Sequence, residues 1–588
     1  MMCRGIGDPL VGAYARSYIV HVGLRCKPKE TKYIVNAVED LVTSCKWKLL
    51  KQIENSKSTA HYVIIKTVLE TFPATDLCLN YKVILQGLDL CFSHGEKPHE
   101  TLITLADVAT KCPPSEEDKF DVLNGAWQLV VRINPAYNHY YLKTATAWLK
   151  FTANNFPIRD VDKILGDVLR RLSKSTSANH TFYIPLLSLL TCALSSAPFT
   201  EELYTLSSFR SLLSIFQRES VGSVGSNNVG ELRKLIEAVI QYHREEFSDL
   251  SVVQLLLSLF ATLHDGINAL TTQDEKRQIT YLVNTFIRKV NYGKDFELQL
   301  QFYVDARSVF SSLDPVLASL IQHVLRLQML TYHVVAGHHT GKTAAFERAC
   351  SAYCFITIPS LSCPISRIKL YMLTGAIAMI NNCMGQGDAC VKSAVKTILE
   401  IPQAFNDSSV PMDEILRTIS YVSSFLVAFP DPPDAVRPLY LFRGLEKSLK
   451  SLEGILTPSA YCSLNLAVLK GVCSCAMSSL PYHFIKVDGN DILYGGGPDM
   501  KAEAEDICTE LLSNVLASLK ELIGLSDALQ VDILCELLEI ILQNGDLSDE
   551  KLNNLAVSLL TLINNISPNT KLKKNLKLMF EKKKKNEQ

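Results

Sequence analysis

The sequence has few of the patterns that mark a hydrolase, a zinc protein or a secreted protein. It contains no Gly-x-Ser-x-Gly, no His-Glu-x-x-His and no Gly-x-Gly-x-x-Gly after a strand-like segment, so common signatures of catalysis and dinucleotide binding are absent. Its 17 cysteines include no Cys-x-x-Cys pair, which excludes the usual zinc spacing and any recognisable disulfide framework. Free cysteines scattered in apolar segments are typical of a reducing compartment.

Long apolar runs are also scarce. The longest uncharged stretch, Thr181–Thr200, is interrupted by Pro185, Pro198 and several Ser and Thr residues. We therefore expect a buried helix there and not a membrane span. The opening MMCRGIGDPL lacks the apolar core of a secretory signal. The net charge is −1, from 59 Lys+Arg and 60 Asp+Glu, which argues against a broad nucleic-acid-binding face.

The strongest positive signal is helical periodicity. In DKILGDVLRRLSK the apolar residues recur three and four positions apart, at Ile164, Leu165, Val168, Leu169 and Leu172. Similar segments recur along the chain, with short Pro, Gly, Asn and Ser breaks, and helix pairs of about 40 residues are typical of HEAT-like repeats. The pattern predicts an all-α protein, a HEAT-like α-solenoid of stacked helical hairpins. Only AYCFITIPSL (352–361) and HFIKVDGNDILYGGG (483–497) are β-like, the second with hairpin chemistry at residues 488–490.

Punctuation and composition divide the chain into four predicted segments: 1–220, 221–436, 437–570 and a basic tail, 571–588. The first three are the N-terminal, middle and C-terminal parts of the solenoid, and SVGSVGSNNVGE (220–231) is predicted to be a flexible loop. The Lys-rich tail could bind acidic lipid or an acidic partner, or act as a nuclear address. A solvated, frayed terminus is the interpretation we favour.

One stretch, VVAGHHTGKTAAF, imitates a phosphate-binding loop. Ala336, four residues and then Gly341-Lys342-Thr343 fit a permissive form of that motif. However, the preceding residues have helical spacing, Ala336 lacks glycine's freedom, and no apolar strand ends in a magnesium-binding Asp. The pattern favours a loop between helices; a nucleotide-binding enzyme using Gly341-Lys342-Thr343 is the alternative.

Three histidines lie in or next to that motif, at positions 333, 338 and 339. Their spacing completes no known zinc pattern, since no carboxylate or cysteine is close in sequence. Exposed loop histidines are the favoured interpretation, and we expect no metal or other cofactor.

The most distinctive segment is CRGIGDPLVGAYARSYIVHVG at the N-terminus. Asp8 can cap a helix and Pro9 suits its first turn. Leu10, Tyr14, Ala15, Tyr18 and Ile19 then form one apolar face. The Arg-Gly-Ile…Pro-Leu…Tyr pattern resembles the large-subunit family of retromer, the vacuolar protein sorting 35 group. The Gly-Asp before Pro9, together with AYCFITIPSL, is most similar to the 35-like branch of that family, the large subunits of the retriever complex.

This resemblance implies a non-catalytic α-solenoid that works as a scaffold in endosomal recycling, returning membrane cargo to the cell surface. It implies an arrestin-like subunit at the N-terminal end and a small metallophosphoesterase-fold subunit inside the C-terminal segment, 437–570. Coiled-coil and COMM-domain proteins are further implied partners, and the implied location is cytoplasmic, peripheral on endosomes. The residues carried over to the arrestin-subunit end are Arg4, Gly5, Ile6, Asp8, Pro9 and Leu10.

Two alternatives accompany the resemblance. Family members have further helical sequence before this helix, whereas this chain begins three residues ahead of Arg4, so we expect an N-terminally shortened form. Residues 4–10 could instead serve only to pack the first helix. Helical repeats with a Lys-rich tail would also suit a nuclear transport solenoid, but the near-zero net charge and the family-like segments argue against that function.

Overall fold

The protein is described here from a computed structural model. The structure describes residues 6, 9–26, 36, 65–66, 69–70, 74–77, 81–93, 99–134, 137–174, 182–196, 200–221, 229–401, 411–432, 435, 437–476, 480, 483–484, 486–495, 497–522, 527–566 and 571–586. These residues belong to two compact units, Met1–Asn291 and Tyr292–Gln588. The four segments predicted above stay a prediction.

The first unit consists of helices in its described part. Their bounds are α1 Pro9–Cys26, α2 Ala74–Leu77, α3 Tyr81–Ser93, α4 His99–Lys111, α5 Lys119–Val131, α6 Asn138–Asn155, α7 Ile158–Lys174, α8 Tyr183–Ser196, α9 Thr200–Thr205, α10 Ser207–Val221, α11 Val229–Tyr242, α12 Leu250–Asp265 and α13 Gln273–Lys289. No strand occurs in the described residues of either unit; a single parallel bridge joins Phe247 and Val290.

Helices of the first unit pack in two layers. One layer runs α2, α4, α6, α8, α11 and α13, and the other runs α3, α5, α7, α10 and α12, with neighbours in a layer in contact in most cases. Successive helices such as α6 and α7 pack across the layers. The predicted stripe of α7 explains this arrangement, because Val161, Ile164, Leu165, Val168 and Leu172 are buried. An amphipathic helix can cover such a stripe only against adjacent helices.

The second unit repeats this architecture. Its helices are α14 Phe296–Val309, α15 Asp314–Val334, α16 Gly341–Thr357, α17 Pro364–Ile380, α18 Met384–Thr397, α19 Met412–Ala428, α20 Tyr440–Lys450, α21 Pro458–Cys475, α22 Asn490–Tyr494, α23 Pro498–Leu522, α24 Asp527–Asn544, α25 Glu550–Ile566 and α26 Lys571–Asn586. One layer contains α15, α17, α19, α21, α24 and α26, and the other contains α14, α16, α18, α20 and α23. The all-α prediction is confirmed.

Both β-like predictions are wrong. Residues 352–357 continue α16, and a 3₁₀ turn, Ile358–Ser360, follows. The segment is helical because Cys350, Tyr353, Cys354 and Thr357 place one buried stripe at helical spacing. Residues 490–494 form α22, with Gly489 as its N-cap, so no hairpin forms there.

The uncharged stretch near residue 190 and the basic tail are both helical. Thr181–Thr200 contains α8, whose leucines are buried, as predicted, and no described helix is long and apolar enough to cross a membrane. The tail forms α26, packed on α24, with Leu576 buried. Lys583 Nζ donates to the carbonyl oxygen of Leu542 at 2.9 Å and to that of Gly545. The interpretation of a frayed terminus is therefore wrong for residues 571–586.

The predicted flexible loop lies mostly outside the described residues. Ser220 and Val221 end α10, and α11 begins at Val229. Residues 222–228 are not among those that the structure describes.

Candidate partner-binding surfaces

The stretch that imitates a phosphate loop joins two helices. α15 ends at Val334 and α16 begins at Gly341, so a helix stands where a phosphate-binding loop needs a strand. Ala336 nevertheless adopts a left-handed conformation with φ of 51°, as does Gly337 with φ of 71°. The turn reverses the chain in the manner of a helix C-terminus.

Several backbone N–H groups of this loop already have acceptors. The amide of Gly337 donates to Tyr332 O at 3.0 Å, and that of His338 to Val335 O at 2.9 Å. Thr340 caps α16: its hydroxyl accepts from the Thr343 amide at 3.3 Å, and its own amide donates to Thr343 Oγ1 at 2.8 Å. Because Thr343 completes a capping box, its hydroxyl has a structural partner in place of a magnesium ion.

The three histidines do not form a metal site with other ligands. No group of three or more His, Cys, Asp or Glu side chains in the described chain could hold a metal ion. His333 and His338 are exposed, whereas His339 is half-buried, its ring 6.4 Å from that of Tyr332. The expectation of exposed histidines therefore holds for two of the three.

The predicted arrestin-subunit residues are only partly described. Arg4, Gly5 and Asp8 lie outside the described residues; Pro9 and Leu10 are the first two residues of α1, without described side-chain environments. Ile6 is half-buried and its Cβ would lie 3.8 Å from a Cβ added to Gly12. Ile6 therefore folds back against the first turns of α1.

α1 exposes an apolar stripe. Val20 is buried, yet Tyr14 and Tyr18 are 62% and 71% exposed. The exposed large apolar side chains of this helix are Val11, Tyr14, Tyr18, Ile19 and Val22. Since positions 11, 14, 18 and 22 fall on one side of a helix, they form a continuous strip, called here the α1 stripe. It shares Tyr14 and Tyr18 with the face predicted from the sequence, and both of these side chains are exposed.

A buried hydrogen-bond cluster, called here the polar lock, fixes α22 in the second unit. Asp431 accepts from the Leu439 amide at 2.8 Å and from the Tyr494 hydroxyl at 3.1 Å. The Asp431 amide donates to Asn490 Oδ1 at 2.7 Å. Burial raises the pKa of Asp431 to about 6, although the bonds from Leu439 and Tyr494 oppose that rise. The lock ties the α19–α20 connection to the α21–α23 connection.

The polar lock holds an apolar pair toward solvent. Ile492 and Leu493, the middle of α22, are 56% and 49% exposed, while their neighbour Asp491 accepts from the Leu480 amide at 2.9 Å and contacts His483 Nε2 at 2.9 Å. A five-residue helix has little stability of its own. The surrounding hydrogen bonds therefore position Ile492 and Leu493, called here the α22 pair.

A charge cluster joins α20 to α23. Arg443 Nε donates to Glu503 Oε1 at 2.8 Å, and its Nη1 donates to Glu510 Oε1 at 3.0 Å. Lys450 Nζ lies 2.7 Å from both Glu446 Oε1 and Glu510 Oε2. The Glu446 and Glu510 carboxylates raise the pKa of Lys450 above its ordinary range. The cluster fixes the α23 helix beside α20 within the segment predicted to surround a small partner.

Neither the polar lock nor the charge cluster was foreseen from the sequence. The bonded residues are 59 and 60 positions apart, as for Asp431–Asn490 and Arg443–Glu503. The turn chemistry predicted at residues 488–490 marks the N-cap of α22 and not a hairpin. A buried Asp after Phe-Pro in FPDPPD was the one available signal.

Two layers of stacked helical hairpins define an α-helical repeat protein of the solenoid class. Comparison with known proteins gives the family. Residues 45–588 match the model of the VPS35L C-terminal domain, and residues 1–69 match a second model described as VPS35L. The chain belongs to the VPS35L family.

Named relatives agree with this assignment. A human protein, VPS35 endosomal protein-sorting factor-like, is 31% identical over 95% of this chain and 62% of its own length. Relatives of the same description from Danio rerio and Drosophila melanogaster are 30% and 28% identical, each over 95% of this chain and 62% of their own length. The chain thus spans somewhat less than two thirds of each of these relatives. A circular tandem repeat protein of solved structure aligns with a TM-score of 0.25 and 10% identity. A score this low does not indicate a shared fold.

Proposed function

We propose that this chain is the helical scaffold of a retriever-type endosomal sorting complex, which returns membrane cargo to the cell surface. Its family contains proteins described as endosomal protein-sorting factors. The observation that carries the proposal is the α1 stripe, because a helix with two largely exposed tyrosines is built to be covered by another molecule. The scaffold acts by holding partners and not by catalysis.

The α1 stripe is the proposed seat of an arrestin-like sorting subunit. Tyrosine suits this role since its ring buries a large apolar area while its hydroxyl keeps a hydrogen bond. Tyr14 and Tyr18 lie one helical turn apart on the stripe. Ile6, which belongs to the family motif at residues 4–10, packs against Gly12 at the same end of the helix.

A double variant tests this seat in the full chain. Tyr14→Ser with Tyr18→Ser should abolish co-purification of the arrestin-like subunit while leaving the small metallophosphoesterase-fold subunit bound. Tyr281→Ser is the matched control, because Tyr281 is 64% exposed on α13. Retention of the arrestin-like subunit by the double variant, at the level of Tyr281→Ser, would contradict the proposal.

The second unit is the proposed seat of the small metallophosphoesterase-fold subunit. The α22 pair offers two exposed aliphatic side chains on a helix that the polar lock holds in place. A preordered apolar contact costs little entropy on binding. The pair also lies inside the predicted C-terminal segment, 437–570.

Ile492→Asp with Leu493→Asp should release the small subunit and keep the arrestin-like one, the reverse of the α1 result. The matched control is Val557→Asp with Leu562→Asp, since these aliphatic side chains are similarly exposed on α25. Equal loss of both subunits from both double variants would indicate misfolding, and undiminished capture would place the contact elsewhere.

Coiled-coil and COMM-domain proteins are the further proposed partners, and the complex is proposed to lie on the cytoplasmic side of endosomes as a peripheral assembly. Mass spectrometry of proteins co-purified from cells tests this directly. Recovery of endosomal sorting proteins with the wild-type chain is expected. Recovery of nuclear transport factors in their place would overturn the proposal.

A further inference from the structure

Two cysteine side chains of the second unit lie in contact across two packed helices. Cys473, in the last turn of α21, and Cys508, in α23, have their sulfur atoms 3.8 Å apart. Both residues are half-buried. A disulfide needs a sulfur–sulfur distance of about 2.05 Å, hence a closure of less than 2 Å separates the dithiol from the bond.

The two thiols differ in chemical character. A hydrogen bond from Cys508 holds the pKa of Cys473 below its usual value, although burial opposes this. The same contact, with burial, raises the pKa of Cys508. Cys473 therefore presents the more thiolate-like sulfur, and the thiolate is the nucleophile in sulfur oxidation.

A third cysteine nearby serves as an internal comparison. Cys475 follows Cys473 by two residues and is only 1% exposed. Burial raises the pKa of its thiol to about 12, with a further contribution from Asp431. Because the unreactive Cys475 and the reactive Cys473 lie in one peptide, oxidation of the two thiols can be compared directly.

The neighbouring packing limits which helix can move. At Gly471 a Cβ would overlap Ser423 Oγ and lie 3.2 Å from the Phe442 ring, so α21 packs closely against α19 and α20 just before Cys473. α23 is connected to α21 through residues 476–497, which include α22. A rotation of the Cys508 side chain is therefore the smallest movement that the proposed bond would require.

We propose that Cys473 and Cys508 are a reversible disulfide site whose oxidant is a hydroperoxide. The Cys473 thiolate attacks one oxygen of hydrogen peroxide; the O–O bond breaks, giving a sulfenic acid and hydroxide. The hydroxide takes the proton of the Cys508 thiol and leaves as water. The Cys508 thiolate then attacks the sulfenic sulfur, the S–O bond breaks, and the departing hydroxide is protonated to a second water. Two thiols and one peroxide thus give one disulfide and two waters.

The bond closes a loop between residues 35 positions apart. That loop contains α22 with its exposed pair, so oxidation would covalently fix both ends of the segment that carries Ile492 and Leu493. Transient disulfides of this kind are the ones that occur in reducing compartments. The inference depends on the two sulfur atoms alone and stands apart from the partner proposals above.

The test is peptide mapping of the intact chain after brief exposure of the folded protein to hydrogen peroxide, followed by unfolding in urea and blocking of remaining thiols with N-ethylmaleimide. Trypsin releases residues 471–486 and 502–520, which contain these cysteines. We expect a linked pair of these peptides, two hydrogens lighter than their sum, with fragmentation placing the link at Cys473 and Cys475 carrying maleimide. Dithiothreitol should restore both free peptides.

Cys508→Ser should lose the linked species entirely and accumulate a sulfenic acid at Cys473, detectable with dimedone. Cys475→Ala is the matched control and should form the link at the wild-type rate. The proposal is overturned if the wild-type peptides both carry maleimide after peroxide, or if the link runs through Cys475. Because the wild-type result decides by itself, a variant that folds poorly leaves the test intact.

Discussion

The backbone amide of Asp431 donates to Asn490 Oδ1 over 2.7 Å, joining two connections that are 59 residues apart. The side chain of Asn490 is buried and its Nδ2 also faces the Phe429 carbonyl oxygen at 3.5 Å. The Asn490 side chain thus bonds to two backbone groups of the non-helical connection between α19 and α20. Removal of this side chain should therefore destabilise the α19–α20 connection, and the loss can be measured.

Asn490→Ala should lower the free energy of unfolding of the second unit by about 1–3 kcal/mol, because the Asp431 amide would be buried without an acceptor. Hydrogen exchange should rise at residues 429–432 and 486–495. Asn554→Ala, on an exposed position of α25, is the control and should change stability by about 0.5 kcal/mol or less. Equal exchange in the two variants would show that the lock contributes nothing.

Arg443→Ala should destabilise the α20–α23 contact by about 2 kcal/mol, since it leaves the Glu503 carboxylate without its 2.8 Å partner in a nearly buried position. Lys369→Ala removes an exposed pair of similar length, 2.7 Å to Glu414, and should cost about 0–1 kcal/mol. Urea unfolding of both variants at low and high salt distinguishes the two stability losses. Only the Lys369 effect should fade with salt.

Glu347 gives the chain a pH dependence. Its carboxyl is buried on α16, and neither oxygen has a donor at full hydrogen-bond geometry. Burial raises the pKa of Glu347 to about 7, and the nearby polar side chains of Gln328 and Thr331 oppose that rise only in part. A carboxyl with a raised pKa binds more protons in the folded state. Stability is therefore lost as pH rises from the ordinary value of 4.5 toward about 7, and the penalty above that is about 3 kcal/mol.

Glu347→Gln removes this titration. The variant should be more stable than the wild type at about pH 8, and the difference should shrink to near zero toward about pH 4.5. Urea midpoints of the second unit across this range measure it. Parallel pH curves for the two proteins would mean that Glu347 is not the titrating group.

The loop at residues 335–343 yields a prediction that separates a helix cap from a phosphate site. Thr340→Ala should cost about 1 kcal/mol, because it removes the N-cap of α16. Lys342→Ala should change stability by about 0.5 kcal/mol or less, since that side chain is exposed. In a phosphate site the order of importance would be reversed: ATP binding by the wild type that Lys342→Ala abolishes would contradict the helix-cap interpretation.

Much of the fold could be predicted because helical periodicity is a local property. The α7 stripe and the buried α8 both follow from residue spacing alone. The same periodicity could not show that Tyr14 and Tyr18 stay exposed, since spacing marks an apolar side without revealing what covers it. The β-like segments failed for a related reason, because short apolar runs fit both helix and strand.

Contacts between distant residues were out of reach. The Cys473–Cys508 contact and the Arg443–Glu503 pair depend on helix stacking that brings positions 35 and 60 apart together. Leu439, which precedes α20 with φ of 53°, is another such feature. A leucine carries no sequence signal for a left-handed conformation, and the turn exists because the Asp431 carboxylate accepts its amide.

The layered contacts limit how far the effect of a destabilising substitution extends. Within each unit, a helix packs mainly on its successor and on the nearest members of its own layer. Energetic coupling should therefore decay within a few helices, so substitutions in α3 and α12 of the first unit should simply add, whereas those in α6 and α8 should not. Such a protein would unfold in local groups of helices. A destabilising substitution in one hairpin would leave distant hairpins folded and able to bind.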